Sequence, residues 1–201
     1  MAFVKKYNTY VFIALVAVLV IADVIVWNSL SLTRKFITAF AVAAAMHEIE
    51  EKVWPGGFYE LMLKKFGMKK EEVDIDRGTL VVSIYWIVIL GAAYIFDSQV
   101  FLLAITITLS FFEAFIHTVG IKIHRLTKPY TPGLVTAWCM ATVGVVAVIT
   151  LNRTGMAAAK DYVLGAVFWL LSFVCMDIVI IAGFGKSPAE ILATVKGQRQ
   201  K

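Results

Sequence analysis

Apolar residues along this 201-residue chain come in long unbroken runs, not in alternation with polar ones. Six runs approach the roughly 20 residues that cross a hydrocarbon core as a helix. They lie near residues 8–30, 35–53, 79–96, 99–121, 132–151 and 161–183. In hydrocarbon each backbone N–H and C=O must be satisfied within its own segment, which selects helices. The runs also lack the period-two alternation of a membrane barrel. The pattern predicts an all-α, polytopic membrane bundle of six transmembrane helices, forming one membrane domain over residues 1–201. Only Asp97-Ser98 separates the third run from the fourth, which predicts a tight antiparallel hairpin.

Punctuation residues sharpen the boundaries. Trp54-Pro55-Gly56-Gly57 stops the second helix. Thr131-Pro132 places an N-cap residue before a proline at the first helical position. Ser187-Pro188-Ala189-Glu190 has capping-box spacing and predicts a short helix after the sixth span. The first run is too long for a signal-peptide core and ends in Val-Trp-Asn, so it reads as a retained span. Residues 54–78 form the one sizeable connection. There Phe58, Leu61, Met62 and Phe66 recur at helical spacing beside Lys64, Lys65, Lys69 and Lys70. This is the pattern of an amphipathic interfacial helix between spans 2 and 3, a simple connector or a lid over a site beneath it.

Charge adds an orientation. With the N-terminus inside, 15 of the 19 basic residues fall in inner segments and 4 in outer loops, Arg34, Lys35, Arg153 and Lys160. The positive-inside bias puts both termini in the cytoplasm. It also accounts for the net charge of +5 without nucleic acid, for which no phosphate loop or basic-aromatic patch is present. Cys139 and Cys175 sit inside apolar runs and suit packing better than a disulfide framework. The expected setting is a prokaryotic plasma membrane.

Against this apolar background a few ionisable residues stand out. A charge at the centre of a span costs roughly 2.5–3.5 kcal/mol on insertion scales and needs a partner, a cavity or a metal. His47, Glu50 and Glu51 are related by i, i+3 and i+4, a face about 100° wide, while Glu48 points elsewhere. Glu113, His117 and His124 fall within about 40° of one another on the fourth run. Both runs pass from outside to inside, so the two sets meet near the cytoplasmic face. Asp177 lies at similar depth on the sixth run, and Tyr130 stands at the inner start of the fifth. Asp23 and Asn28 lie toward the outer side, away from this group. Carboxylate and imidazole three or four apart on facing helices is how bundles build metal centres. The candidate ligands are His47, Glu50, Glu51, Glu113, His117 and His124, for one or two divalent ions, Zn or Fe. Glu51, His124 and Tyr130 are candidate acid-base groups.

His47-Glu48-Ile49-Glu50-Glu51 fits the pattern His-x-x-Glu-Glu, and the chain resembles the HXXEE-motif family of integral membrane proteins over roughly residues 35–155. Glu113-Ala114-Phe115-Ile116-His117 and Tyr130-Thr131-Pro132-Gly133 match the later motifs of that family. The family more often has Asn in place of Glu113 and a shorter interval from His124 to Tyr130. The resemblance implies a membrane protein with a shared His/Glu site, without a defined reaction.

The expected function is a metal-dependent membrane enzyme acting on a membrane lipid or other apolar small molecule. A metal-activated water with one Glu as base would give hydrolysis, and a redox metal would give oxidation. Three histidines are few for a membrane oxygenase, which tilts the expectation to hydrolysis. Two alternatives use the same residues: a metal-free His/Glu acid-base isomerase of an isoprenoid or sterol-like substrate, and a metal-ion or proton-coupled transporter.

Overall fold

The structure is a computed structural model and describes residues 2–65, 67–183 and 189. Among these the chain is helical, with no strands. The helices are α1 (Ala2–Lys6), α2 (Asn8–Ile25), α3 (Leu32–Lys52), α4 (Phe58–Lys65), α5 (Ile75–Ile95), α6 (Val100–Ile123), α7 (Leu134–Arg153) and α8 (Ala159–Gly183). Short 3-10 turns follow α2 (Trp27–Ser29) and precede α5 (Lys70–Glu72). Five helices, α2 and α5 to α8, are long and apolar enough to cross a membrane.

The second run differs from the others. α3 has the length of a span, 21 residues, but carries Arg34, Lys35, Glu48, Glu50, Glu51 and Lys52. It tolerates these because it packs against α2, α5, α6 and α7. Ile37, Phe40 and Ala44 are fully buried in the main apolar core with Leu103 and Met140. α8 is the opposite case. It packs on α5 and α6 and leaves Val163, Val167, Leu171 and Val179 exposed. Its close approach to α6 needs Gly165, where a Cβ would lie 2.5 Å from the Ala104 Cβ.

Side-chain bonds tie the helix ends. Ser31 caps α3 by accepting from the Arg34 N–H, and Asp74 caps α5 by accepting from the Arg77 N–H. Asp97, in the short α5–α6 turn, accepts from the Ser31 hydroxyl at 2.5 Å and pairs with Arg34 at 3.2 Å. Asn8 bridges α2 to α5, donating to Thr79 at 2.8 Å and accepting from Ser83 at 2.9 Å.

The start of the fifth run departs from the expectation. Thr131 does not cap the helix and Pro132 is not its first residue. α7 begins at Leu134, behind Gly133 in the left-handed region at φ +95°. The Thr131 hydroxyl is bonded elsewhere, to His117, so the chain makes one more turn before it becomes helical. The Phe66 position of the amphipathic pattern and, apart from Ala189, the segment predicted to be helical after residue 187 lie outside the described residues. Phe58, Leu61, Met62, Lys64 and Lys65 lie on the short helix α4, with Leu63 buried, while Lys69 and Lys70 fall beyond its end.

Candidate metal centre

α3 and α6 each present a His/Glu pair four residues apart, so each pair shares one helical face. Among the described residues, His47, Glu51, Glu113 and His117 form a group whose ligand atoms all lie within 4.8 Å of one another. Glu51 Oε1 is 3.0 Å from His117 Nε2 and 3.5 Å from His47 Nε2. Glu113 Oε2 is 3.6 Å from His117 Nε2 and 3.7 Å from His47 Nε2. A tetrahedron drawn around an ion with bonds of about 2.0–2.1 Å has edges of about 3.3 Å. Four of the six edges are observed and bracket that value, and the other two lie within 4.8 Å, so the set could hold a single ion through three or four of its members.

The outer nitrogens fix both imidazoles. His47 Nδ1 is 3.1 Å from the Gly133 carbonyl oxygen, which can only accept, so Nδ1 carries the proton. The same nitrogen is 3.1 Å from the Thr136 hydroxyl. On α6, Thr131 donates to the His117 carbonyl at 3.0 Å, and its oxygen accepts from His117 Nδ1 at 3.2 Å. Each ring therefore turns its Nε2 toward the two carboxylates. His117 Nε2 is buried without a hydrogen bond, because its short contact with Glu51 lacks hydrogen-bond geometry. Two imidazole nitrogens and two carboxylates that converge in a buried site could hold a cation, or share protons, between them.

Gly133 closes the cluster on one side. A Cβ there would stand 2.6 Å from His117 Cε1, 2.7 Å from Glu51 Cγ and 2.9 Å from His47 Cε1. Both the close approach and the positive φ require glycine. The Phe58 ring from α4 covers another side, its centroid 4.8 Å from that of His117.

Two of the six expected ligands stand outside the cluster. Glu50 turns to the N-terminus of α7. It accepts from the Val135 N–H at 3.2 Å, the Thr136 N–H at 2.8 Å and the Thr136 hydroxyl at 2.5 Å. It thus caps from α3 a helix whose own N-cap is a glycine. Tyr130 donates to the same carboxylate at 2.8 Å. Burial, then this bond, pushes the Tyr130 phenol up to about 12, so it serves as a donor that holds Glu50. His124 is the half-buried C-cap residue of α6, lowered by burial and by Lys65, and is not in the cluster. Glu48 points away, as its helical phase implies, and pairs with Lys52 in a buried ion pair.

Two cavities adjoin the cluster. One of about 370 Å³ has Glu51 and Glu113 in a wall otherwise dominated by Phe112, Ile116, Phe173 and Met176, with Asp177 from α8 also in the lining. The other, of about 250 Å³, is polar and has Glu51 in its wall with Asn8, Lys52, Asp76 and Thr79. Tyr59 on α4 lines both. Burial, then the carboxylates of Glu48 and Glu51, holds its phenol well above the usual range, so it remains an O–H donor. Sequence reading missed Tyr59, Thr136 and the contacts of Thr131. Only Gly133, inside the Tyr-x-Pro-Gly segment, offered a signal.

Fold and site together define a helical protein of membrane character, with a buried two-histidine, two-carboxylate centre between two helices. The family profile described as "Protein of unknown function with HXXEE motif" matches residues 38–148, and the chain belongs to that family. Comparison with curated proteins and with solved structures found no match. The motif itself now divides into parts. Its His47 and Glu51 enter the cluster, while Glu50 fastens α7 beside it.

Proposed function

We propose that this protein is a membrane-embedded, metal-dependent enzyme that acts on a lipid or other apolar substrate, by hydrolysis in preference to oxidation. The observation that carries the reading is the converging set of two Nε2 atoms and two carboxylates, with both Nδ1 atoms tied back, at the wall of an apolar cavity. His47, His117 and Glu51 would hold a Zn or Fe ion. Two histidines and one carboxylate leave a coordination position open, as catalysis requires. Such an ion supplies Lewis acidity and lowers the pKa of water. Both carboxylates line the apolar cavity, and Glu113 is the more accessible, its side chain 17% exposed against 8% for Glu51. It takes the role of general base. A redox metal would need no such base, which is the reason to prefer hydrolysis.

In the membrane, α3 acts as a sixth span, shielded from lipid by its neighbours. The excess of Lys and Arg in the segments read as inner supports a cytoplasmic location for both termini and the site. α4 lies at that interface as a cover, since Phe58 and Tyr59 both reach the site from it.

Elemental analysis of the purified protein beside a Glu113→Ala/His117→Ala double variant tests the reading. About one equivalent of Zn or Fe is expected in the wild type and none in the variant. No metal in the wild type after reconstitution with both ions would overturn it. In that case two imidazolium ions facing two carboxylates would remain, and acid-base isomerisation would become the working function.

A further inference from the structure

The two cavities differ in chemistry but share two wall residues, Glu51 and Tyr59. Both therefore adjoin the same pair of side chains, one of which belongs to the cluster. Each is large on the scale of a ligand. The apolar one lies within the range of about 300–1,000 Å³ usual for small-molecule sites. The polar one has room for about eight waters at about 30 Å³ each, far more than a water-entry path needs.

The polar wall shows what it suits. Two of its lysines are committed elsewhere, Lys52 to Glu48 and Lys70 to Glu60 at 3.0 Å. The wall as a whole holds three lysines, Lys6, Lys52 and Lys70, and three carboxylates, Glu51, Glu60 and Asp76, so its charges balance, while Asn8, Thr9 and Thr79 add neutral polar groups hydrogen-bonded to one another. Such a surface favours a group rich in hydrogen bonds and without net charge. The Tyr59 hydroxyl, at the junction, makes no hydrogen bond among the described residues and is free to donate to a guest.

We propose that the two cavities are the halves of one binding site for a single-headed amphiphile. Its aliphatic or isoprenoid body occupies the apolar cavity. Its hydroxylated head, without net charge, occupies the polar one, and the group joining them lies against Glu51 and Tyr59. This rests on the reading of the cluster as a reaction centre, and it names the class of substrate that centre would meet.

The test is binding of radiolabelled 1-O-dodecylglycerol, an ether with no ester to cleave, to the full chain in lipid nanodiscs. Protein-free nanodiscs correct for partitioning. Saturable binding is expected, displaced by unlabelled dodecylglycerol but about ten-fold less well by dodecane, and not by glycerol. Met176→Trp, which fills the apolar cavity, and Asp76→Trp, which fills the polar one, should each weaken binding about ten-fold. Val167→Trp, on the exposed face of α8, should not. Elution as a monodisperse species qualifies each variant. Dodecane competing as well as dodecylglycerol, or Asp76→Trp binding as tightly as wild type, would show the polar cavity to hold only solvent and would overturn the proposal. Metal content measured on the same samples separates the two ideas. Wild type without metal but with the expected binding keeps the amphiphile site and loses the metalloenzyme.

Discussion

Two buried carboxylate sites in this bundle make an instructive pair. Asp23 on α2 is 1% exposed, and both of its oxygens are served: the Thr38 hydroxyl donates to one and the Tyr94 hydroxyl to the other. Helices α2, α3 and α5 are pinned together there. Neither of the two cavities beside the cluster reaches it. At the other end of α3, Glu51 and Glu113 face the Nε2 atoms of two imidazoles whose Nδ1 atoms are bonded on the far side of the rings, and the set opens on two cavities. Burial alone thus does not mark a functional carboxylate. A charge whose lone pairs are matched by neutral protein donors is a structural joint, whereas carboxylates that share two imidazoles beside a cavity could take up a cation or exchange protons.

That contrast can be attacked at three points. The largest effect belongs to Gly133→Ala, which drives a Cβ to within 3 Å of His117, Glu51 and His47. Metal affinity should fall about 100-fold, at the upper end for loss of an orienting contact. Gly155→Ala is the matched control, because Gly155 has φ +68° but nothing within 4 Å. It should leave metal affinity unchanged, and an equal loss in both would assign the effect to backbone strain instead of to the cluster.

A smaller effect is expected from Glu50→Gln. The carboxylate holds the Thr136 hydroxyl that lies against His47 Nδ1, and it caps α7. Metal should still bind, about ten-fold more weakly. Complete loss of metal would return Glu50 to the ligand set. The smallest effect on the site belongs to Asp23→Asn. It should lower unfolding stability by about 1–3 kcal/mol, the usual cost of disturbing a buried hydrogen-bonded group, with metal content unchanged. Thermal unfolding and elemental analysis of one preparation decide the matter, and a loss of metal would mean that the two sites are coupled through α3.

Much of the architecture was open to reading because its cause is local. Apolar run length and the 3.6-residue repeat act within each segment, so the helices and the His/Glu faces of α3 and α6 follow from spacing alone. Both i, i+4 pairs, His47/Glu51 and Glu113/His117, lie where their phases put them. The same phase could not separate Glu50 from Glu51. Both fall on one broad face, and only the arrival of the α7 N-terminus, with its unpaired Val135 and Thr136 N–H groups, draws Glu50 away. Thr131 likewise has good capping chemistry, but a stronger claim on it comes from His117, 14 residues earlier.

The sequence by itself determined helices, their approximate ends, a His/Glu concentration on two of them and the membership of an HXXEE family, because periodicity, hydropathy and motif spacing are properties of neighbouring residues. Tertiary structure alone decided which carboxylates share the histidines, which histidine nitrogens face inward, why Gly133 admits no side chain, and that Tyr59 stands between a polar and an apolar cavity. Those are distances between segments far apart in the chain, set by how helices pack, and no local pattern encodes them.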